Sequence, residues 1–278
     1  MITLLALLTP LSLPARGDTL RVMFWNVENF FDCRSRAAPR YWTRGRLLAK
    51  CDGIAKTLLR FADRYGNMPD IVGLAEIENA SVLKSLLSST LLRKLDYTIV
   101  HYESPDHRGI DCALLYRRSR LHLEESFPVH IRDSAGVTLA TRDILVARFD
   151  SLTVMVNHHP SKIGGKSDRR LAAFSRMEAV ADSLLAAGAE RIVSVGDFND
   201  DLWHSGGHGT IKYNGKWEKI DGHFTYGQVS VREDVFDDPP LLTRDKVFGG
   251  LKPRRTFVGP KYEGGLSDHL PVALMVTF

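Results

Sequence analysis

Asp70-Ile71-Val72-Gly73-Leu74-Ala75-Glu76 is an apolar run closed at each end by a carboxylate. A short, uninterrupted apolar run between polar residues reads as a strand buried on both faces. The carboxylate at its end is held rigidly and needs a cation or a donor to offset its desolvation. The same punctuation recurs along the chain. Leu20–Trp25 runs into Asn26, and Thr153–Asn157 runs into His158-His159. Arg191–Val195 runs into Gly196-Asp197-Phe198-Asn199, and Ser267-Asp268-His269 precedes a final strand over Val272–Phe278. Residues so far apart in sequence meet only where a fold gathers the ends of their strands.

The segments between these runs alternate in period. Leu47, Cys51, Ile54, Leu58 and Phe61/Ala62 recur at helical spacing and predict an amphipathic helix over Thr43–Arg64. Val82, Leu83, Leu86 and Leu87 mark a second helix, with Asn79 or Ser81 as its N-cap. Leu171, Phe174, Met177, Ala181 and Leu184 mark a third. Strands are expected at Tyr97–His101, Asp111–Tyr116, Ile144–Phe149 and Thr153–Asn157, several of them as hairpins. The last third is loop-rich. Single helices between strands, mixed with hairpins, favour two packed sheets with helices outside over a purely parallel sheet.

The 278 residues, 44% apolar and 25% charged, describe an ordinary globular protein with a sizeable core. No repeat or linker divides the chain, so residues 18–278 read as one domain. Ile2–Leu13 is nearly all apolar and is followed by Pro14-Ala15-Arg16-Gly17. That is too short to span a bilayer and matches a signal peptide over residues 1–17, although no Lys or Arg precedes Arg16. Export to a periplasm or the medium is the expectation, with no integral membrane segment left afterwards. A net charge of +4 suits an anionic substrate but excludes the charge density of a dedicated nucleic-acid binder. Cys33, Cys51 and Cys112 make no disulfide framework and no zinc-site spacing. Cys51 falls on the apolar face of a helix and Cys112 inside a strand; a Cys33–Cys51 pairing stays open.

Each strand-end residue has a plain reading beside a chemical one. Glu76 is a metal ligand or a surface acid near a helix start. Asn26 caps a turn, or orients a metal-bound water or a phosphate oxygen. In Asn157-His158-His159-Pro160-Ser161-Lys162, adjacent histidines point to opposite faces, so one at most enters a given site. Asp197 and Asn199, two apart, can face one side and together activate and orient a water, or form an Asx turn. Gly196 before them permits close backbone approach. His269 is a natural acid or base near neutral pH and needs a partner to fix its tautomer; Asp221 is the candidate.

Six stretches carry a resemblance: FWNVENFFD (24–32), DIVGLAEIEN (70–79), RGIDCALLYR (108–117), VNHHPSKIGG (156–165), SVGDFND (194–200) and GGLSDHLPV (264–272). In this order they resemble the endonuclease/exonuclease/phosphatase superfamily, which holds exonuclease III-like and deoxyribonuclease I-like nucleases, neutral sphingomyelinases and inositol-polyphosphate phosphatases. The resemblance implies a four-layer αββα sandwich of two mixed β-sheets flanked by helices. It implies Mg²⁺ (with Mn²⁺ or Ca²⁺ as substitutes) at Asn26, Glu76 and Asp268, with Glu76 the direct ligand. It makes His158 a phosphate contact, Asp197 the acid that activates or orients the attacking water, and Asn199 the amide beside it. His269 becomes the histidine facing the phosphate in the transition state, Asp221 its orienting acid, and Arg108 a neighbour of the phosphate. Ala75 departs from the pattern, standing where many members have Gln.

Loops set substrates on such a fold. Ser205–Gly227, with His208, Lys212, Tyr213, Lys216 and Trp217, and Gly249–Gly265, with Lys252, Arg254, Arg255 and Lys261, are the candidates. Basic and aromatic side chains suit nucleic acid, and equally a phosphorylated sugar or lipid head group. The expectation is a monomeric, exported, Mg²⁺-dependent phosphodiesterase acting on nucleic acid as a nuclease. A phosphomonoesterase or sphingomyelinase-like enzyme is the alternative. A non-catalytic binding domain is disfavoured because Glu76, Asp197 and His269 are all present.

Overall fold

The computed structural model describes residues 19–35, 42–162, 167–202 and 209–278. The expected signal peptide and His208 lie outside these residues. In chain order the elements are β1 (Leu20–Phe30), α1 (Arg44–Tyr65), β2 (Ile71–Ile77), α2 (Ala80–Ser89), β3 (Tyr97–His101) and β4 (Asp111–Arg117). Then come β5 (Leu123–Val129), β6 (Ile144–Phe149), β7 (Thr153–His158), α3 (Ser167–Ala186), β8 (Arg191–Asp197), β9 (Ile211–Tyr213) and β10 (Lys216–Glu218). The chain continues through β11 (Asp221–Gly227), β12 (Ser230–Val235), β13 (Leu242–Arg244), β14 (Leu251–Pro253), β15 (Phe257–Val258), β16 (Lys261–Tyr262) and β17 (Val272–Thr277).

Two large sheets result, ordered β12-β17-β1-β2-β4-β3 and β11-β8-β7-β6-β5. Each contains a parallel pair, β1/β2 in one and β7/β8 in the other, among antiparallel neighbours. Strand alternation sorts the side chains into layers. Val22 and Phe24 of β1 join Ile71, Leu114, Val154, Val156, Val193 and Val195 in a core between the sheets. Met23, Trp25 and Val27 of the same strand pack outward with Leu47, Ile54 and Leu58 of α1 and Val82 and Leu86 of α2. On the far side Ala173, Met177, Ala181 and Leu184 of α3 cover Val146, Met155 and Ile192. The result is the expected four layers: helices, sheet, sheet, helix.

The first two helices both start on a side-chain cap. The Thr43 hydroxyl accepts from the Arg46 N–H, and Asn79 Oδ1 accepts from the N–H groups of Ser81 and Val82, so Asn79 is the N-cap. Gly66 closes α1 at φ 84°, a left-handed conformation that glycine adopts without cost. Three readings change. Strand β1 passes Asn26 and ends at Phe30. Leu171 points to solvent and is 67% exposed, the buried face of α3 beginning at Ala173 and continuing through Met177. The final third is built of strands: β9/β10, β13/β14 and β15/β16 are small hairpins, and Asp221–Gly227 is an edge strand of the second sheet. All three cysteines are free thiols, Cys51 and Cys112 buried and Cys33 half-buried.

Candidate active site

The two parallel pairs end at one rim of the sandwich, and the polar strand ends meet there. His158 and Asp197 are register partners across β7 and β8, and Asp221 faces Asp197 from β11. Gly196 makes this close: a Cβ there would stand 2.7 Å from both the Asn157 Cβ and its carbonyl oxygen. In the first sheet, β1 and β2 both break register at the same level, between Asn26 and Phe30 and between Ala75 and Ile77. Glu28, Asn29 and Glu76 take left-handed φ of 46°, 51° and 64° at these breaks. Simple alternation would face Ile77 toward the other sheet, like Ala75, and Phe30 toward it, like Phe24. The breaks instead turn both into the helix-side core. Left-handed backbone at non-glycine residues is costly and persists only where surrounding packing enforces it. Here it frees Glu76 to line the rim.

A cavity of about 280 Å³ opens at this rim. Asn26, Glu76, Arg108, His158, Asp197, Asn199, Asp268 and His269 line it, with Asp221 directly behind His269. All nine residues singled out from the sequence are therefore assembled in one place. Asp197 is the hub. Its Oδ2 accepts from Asn26 Nδ2 at 3.0 Å and lies 3.5 Å from His158 Nε2 and 3.9 Å from His269 Nε2. Its Oδ1 accepts from the Asn199 N–H at 3.0 Å. Burial, then the charge of Asp221, pushes the Asp197 carboxyl up to about 7.

The two histidines facing Asp197 are driven in opposite directions. Burial pulls His269 down, but Asp221, at 2.8 Å from its Nδ1, and Asp197 outweigh it, and the imidazole holds its proton well above its ordinary range. His158 is held well below that range by burial and by the nearby guanidiniums of Arg142 and Arg108. His159 points the other way, as its neighbour's orientation requires. It lies edge-on to Phe174 and Phe198, with centroids 4.5 and 5.2 Å away, and burial is the first cause holding it at about 3.

On the first-sheet side, Glu76 Oε2 accepts from the Asn29 N–H at 2.7 Å and lies 3.3 Å from Arg108 Nη2. Arg108 also donates to Asn29 Oδ1 at 2.7 Å. Asp268 pairs with Arg255 at 3.2 Å. The Asn199 amide donates one N–H to the His159 carbonyl at 3.0 Å, which leaves the second N–H of Nδ2 available.

Several supporting residues were not legible as site residues. Arg142, buried, donates to the carbonyls of His158 at 3.2 Å and His159 at 2.6 Å and pairs with Asp106 at 3.2 Å. It ties the Arg108 loop to the end of β7, and a lone Arg ahead of a strand gives no hint of this. Glu28, within the FWNVENFFD stretch, is buried against Arg255 at 2.7 Å. Lys50 donates to the Glu28 carbonyl and, at 2.9 Å, to Thr256 Oγ1, bracing the left-handed turn of β1. Its position one turn from Leu47 and Ile54, on the apolar face of α1, was the available signal. Ser267 donates to the Asn26 carbonyl at 2.6 Å and accepts from the His269 N–H at 3.0 Å, locking the last motif onto the first.

The expected substrate loops have spent much of their charge internally. Lys212 pairs with Asp245 at 3.2 Å and Lys252 with the same acid at 3.7 Å. Lys216 and Trp217 stand in β10, where Trp217 packs against the core. Arg254 donates to the Glu263 carbonyl at 2.7 Å. Lys261 pairs with the Glu263 carboxylate.

Comparison with known proteins agrees with this fold. The model of the Endonuclease/Exonuclease/phosphatase family matches residues 21–223. An endonuclease/exonuclease/phosphatase family protein of Bacteroides thetaiotaomicron is 17% identical with a TM-score of 0.62, covering 95% of this chain and 99% of its own. A mannosyl-6-phosphatase of the same organism is 18% identical with a TM-score of 0.61, covering 93% and 100%. Truncated Caenorhabditis elegans TDP2 is 18% identical with a TM-score of 0.56, covering 94% and 98%. No curated protein matches the sequence significantly.

Proposed function

Since the chain belongs to the endonuclease/exonuclease/phosphatase family, we propose that it is a divalent-metal-dependent hydrolase of phosphate esters, with phosphodiesters as the first substrate class. The observation that carries this reading is the Asp197 hub: one buried carboxylate faced by His158, His269 and Asn26 in the cavity that also holds Glu76.

Glu76 and Asp268 offer hard oxygen donors suited to Mg²⁺, which binds through one or two carboxylates and keeps its waters. In this structure guanidiniums of Arg108 and Arg255 supply the positive charge those carboxylates call for. Asn26 Oδ1 already accepts from the Glu28 N–H at 3.0 Å and keeps one lone pair toward a cation or its water. Asp197, Asp221 and His269 also bring ligand atoms within 4.8 Å of one another, but the Asp221–His269 hydrogen bond accounts for that cluster. A bound Mg²⁺ would polarise a phosphoryl oxygen and stabilise the leaving oxygen.

The chain's own residues do the rest. Asp197 takes a proton from, or orients, the attacking water; its raised pKa suits a base working near neutrality. Protonated His269 donates to the phosphoryl oxygens as charge grows on them, and neutral His158 donates one N–H. Asp221 orients the His269 imidazolium and holds its charge, and Arg108 meets the substrate's negative charge as it leaves Glu76. Asn199 supports Asp197 through its backbone N–H, and the side-chain N–H not held by the His159 carbonyl donates to a phosphoryl oxygen.

For the substrate, a nucleic acid is supported by the similarity of D. rerio TDP2, solved with a single-strand DNA product. The internally paired loop cations favour a second reading, a small phosphate ester such as a phosphorylated sugar. Export rests on the Ile2–Gly17 pattern alone. No described helix is long and apolar enough to cross a membrane. The test is a metal titration against DNA, RNA, a bis-aryl phosphodiester, phosphomonoesters and sphingomyelin. Hydrolysis that needs Mg²⁺ or Mn²⁺ and disappears in Asp197→Asn is expected; no turnover of any of them overturns the reading.

A further inference from the structure

The β3–β4 hairpin carries a second polar cluster, outside the cavity lining. His101 ends β3, Asp111 begins β4, and Glu103 stands between them on the loop that leads to Arg108. The side chains of His101 and Asp111 are 4% and 2% exposed, and His101 Nε2 lies 3.3 Å from Asp111 Oδ2. Neither atom makes a hydrogen bond. Two buried polar atoms this close without a hydrogen bond make a costly arrangement that calls for a shared partner. Asp111 Oδ1 is already served, accepting from the Ser104 N–H at 2.9 Å and from its hydroxyl at 2.5 Å. A Glu103 carboxylate oxygen, a His101 ring nitrogen and an Asp111 carboxylate oxygen all lie within 4.8 Å of one another. Glu103 is exposed, so its side chain is free to close on them.

We propose that His101, Glu103 and Asp111 form a Zn²⁺ site separate from the catalytic cavity. Ligand bonds of roughly 2.0–2.2 Å at a tetrahedral angle place neighbouring donors about 3.3–3.6 Å apart, and His101 and Asp111 stand at the short end of that range, 3.3 Å apart. An imidazole with two carboxylates suits Zn²⁺ or a similar first-row ion, whereas Ca²⁺ requires six to eight oxygens. Water supplies the fourth ligand. The ion clamps the base of the loop over residues 102–110. Within that loop Asp106 pairs with Arg142 and accepts from the Arg108 N–H at 2.9 Å, so the clamp fixes where Arg108 stands relative to Glu76.

The test separates this site from the catalytic one by working in Glu76→Gln, stripped of metal by a chelator. Calorimetric titration with Zn²⁺ is expected to show one ion per chain, with a melting temperature that rises with Zn²⁺ and binding that millimolar Mg²⁺ or Ca²⁺ does not displace. Glu103→Ala, a surface change that leaves the fold intact, and His101→Gln are expected to weaken binding by at least about tenfold, since even outer partners of a metal ligand are worth 10–100-fold. No bound Zn²⁺, displacement by Ca²⁺, or unchanged affinity in Glu103→Ala and His101→Gln overturns the proposal.

Discussion

The two sides of the catalytic cavity are built on opposite principles. On the second-sheet side, Asp197, Asp221, His158 and His269 are almost wholly buried and lie within a few ångströms of one another. On the first-sheet side, Glu76, Glu28 and Asp268 are matched by Arg108 and Arg255, whose side chains are 40% and 48% exposed. Half-exposed guanidiniums bind weakly and can swing away when a cation or a charged substrate arrives. A buried, closely packed set cannot, and its dipoles are already in place before reaction. Under the proposed function, the exchangeable work, metal and substrate charge, falls to the first sheet and the fixed work, proton and water handling, to the second.

Asp197→Asn breaks the fixed side at its hub. The shape is kept, but the carboxylate that takes or orients the proton is lost. We expect kcat to fall by about 10³-fold, the scale of removing one preorganised electrostatic group. An activity within tenfold of the parent would mean that the hub is structural only. Glu76→Gln tests the exchangeable side. It should lower kcat/KM by about 10²-fold at low Mg²⁺, with part of the loss recovered at high Mg²⁺, because a weakened site still fills by mass action. A metal dependence identical to the parent's would remove Glu76 as ligand.

The sequence made these two sides unequally readable. Asp197, His158 and Glu76 stand at the ends of apolar runs, where burial of the strand forces a polar terminus to be explained. Those runs also carried the layer order, since strands buried on both faces require cover on both. The reading failed where position depends on backbone breaks. Nothing in Val27-Glu28-Asn29 or Ala75-Glu76 announces left-handed φ in non-glycine residues, so β1 was ended too early and Glu28 was passed over. Arg142 and Lys50 act through carbonyls of other strands, contacts that exist only after folding. The small hairpins of the last third were missed because three-residue strands carry no periodicity.

Asp221→Asn sharpens the comparison through pH. The Asp221 charge raises both Asp197 and His269. Removing it lowers both, so activity should set in at lower pH as Asp197 ionises more readily, and fail at lower pH as His269 gives up its proton sooner. The whole kcat/KM bell moves toward acid, by about one unit or more for a charge at this range. On the alkaline side that is a loss of about tenfold. An alkaline limb that does not move would separate His269 from catalysis.

The smallest effect expected concerns stability. A side of the cavity that depends on buried, neutral groups should be the one that acid undoes. His159, beneath Asp197, has a folded pKa of about 3 against about 6.5 in the unfolded chain. Below 6.5 the unfolded chain binds a proton that the folded protein refuses. The stabilisation is therefore complete above 6.5 and is lost progressively as pH falls toward 3. This contributes a slope of up to about 1.4 kcal/mol per pH unit in that window. His159→Phe keeps the edge-on contacts with Phe174 and Phe198 and removes the titration. Urea unfolding from pH 7 to pH 4 should therefore lose stability less steeply in the variant, by up to one proton, with His158 still contributing in both proteins. Parallel slopes would mean that His159 is protonated in the folded state and that this side is less sealed than its geometry indicates.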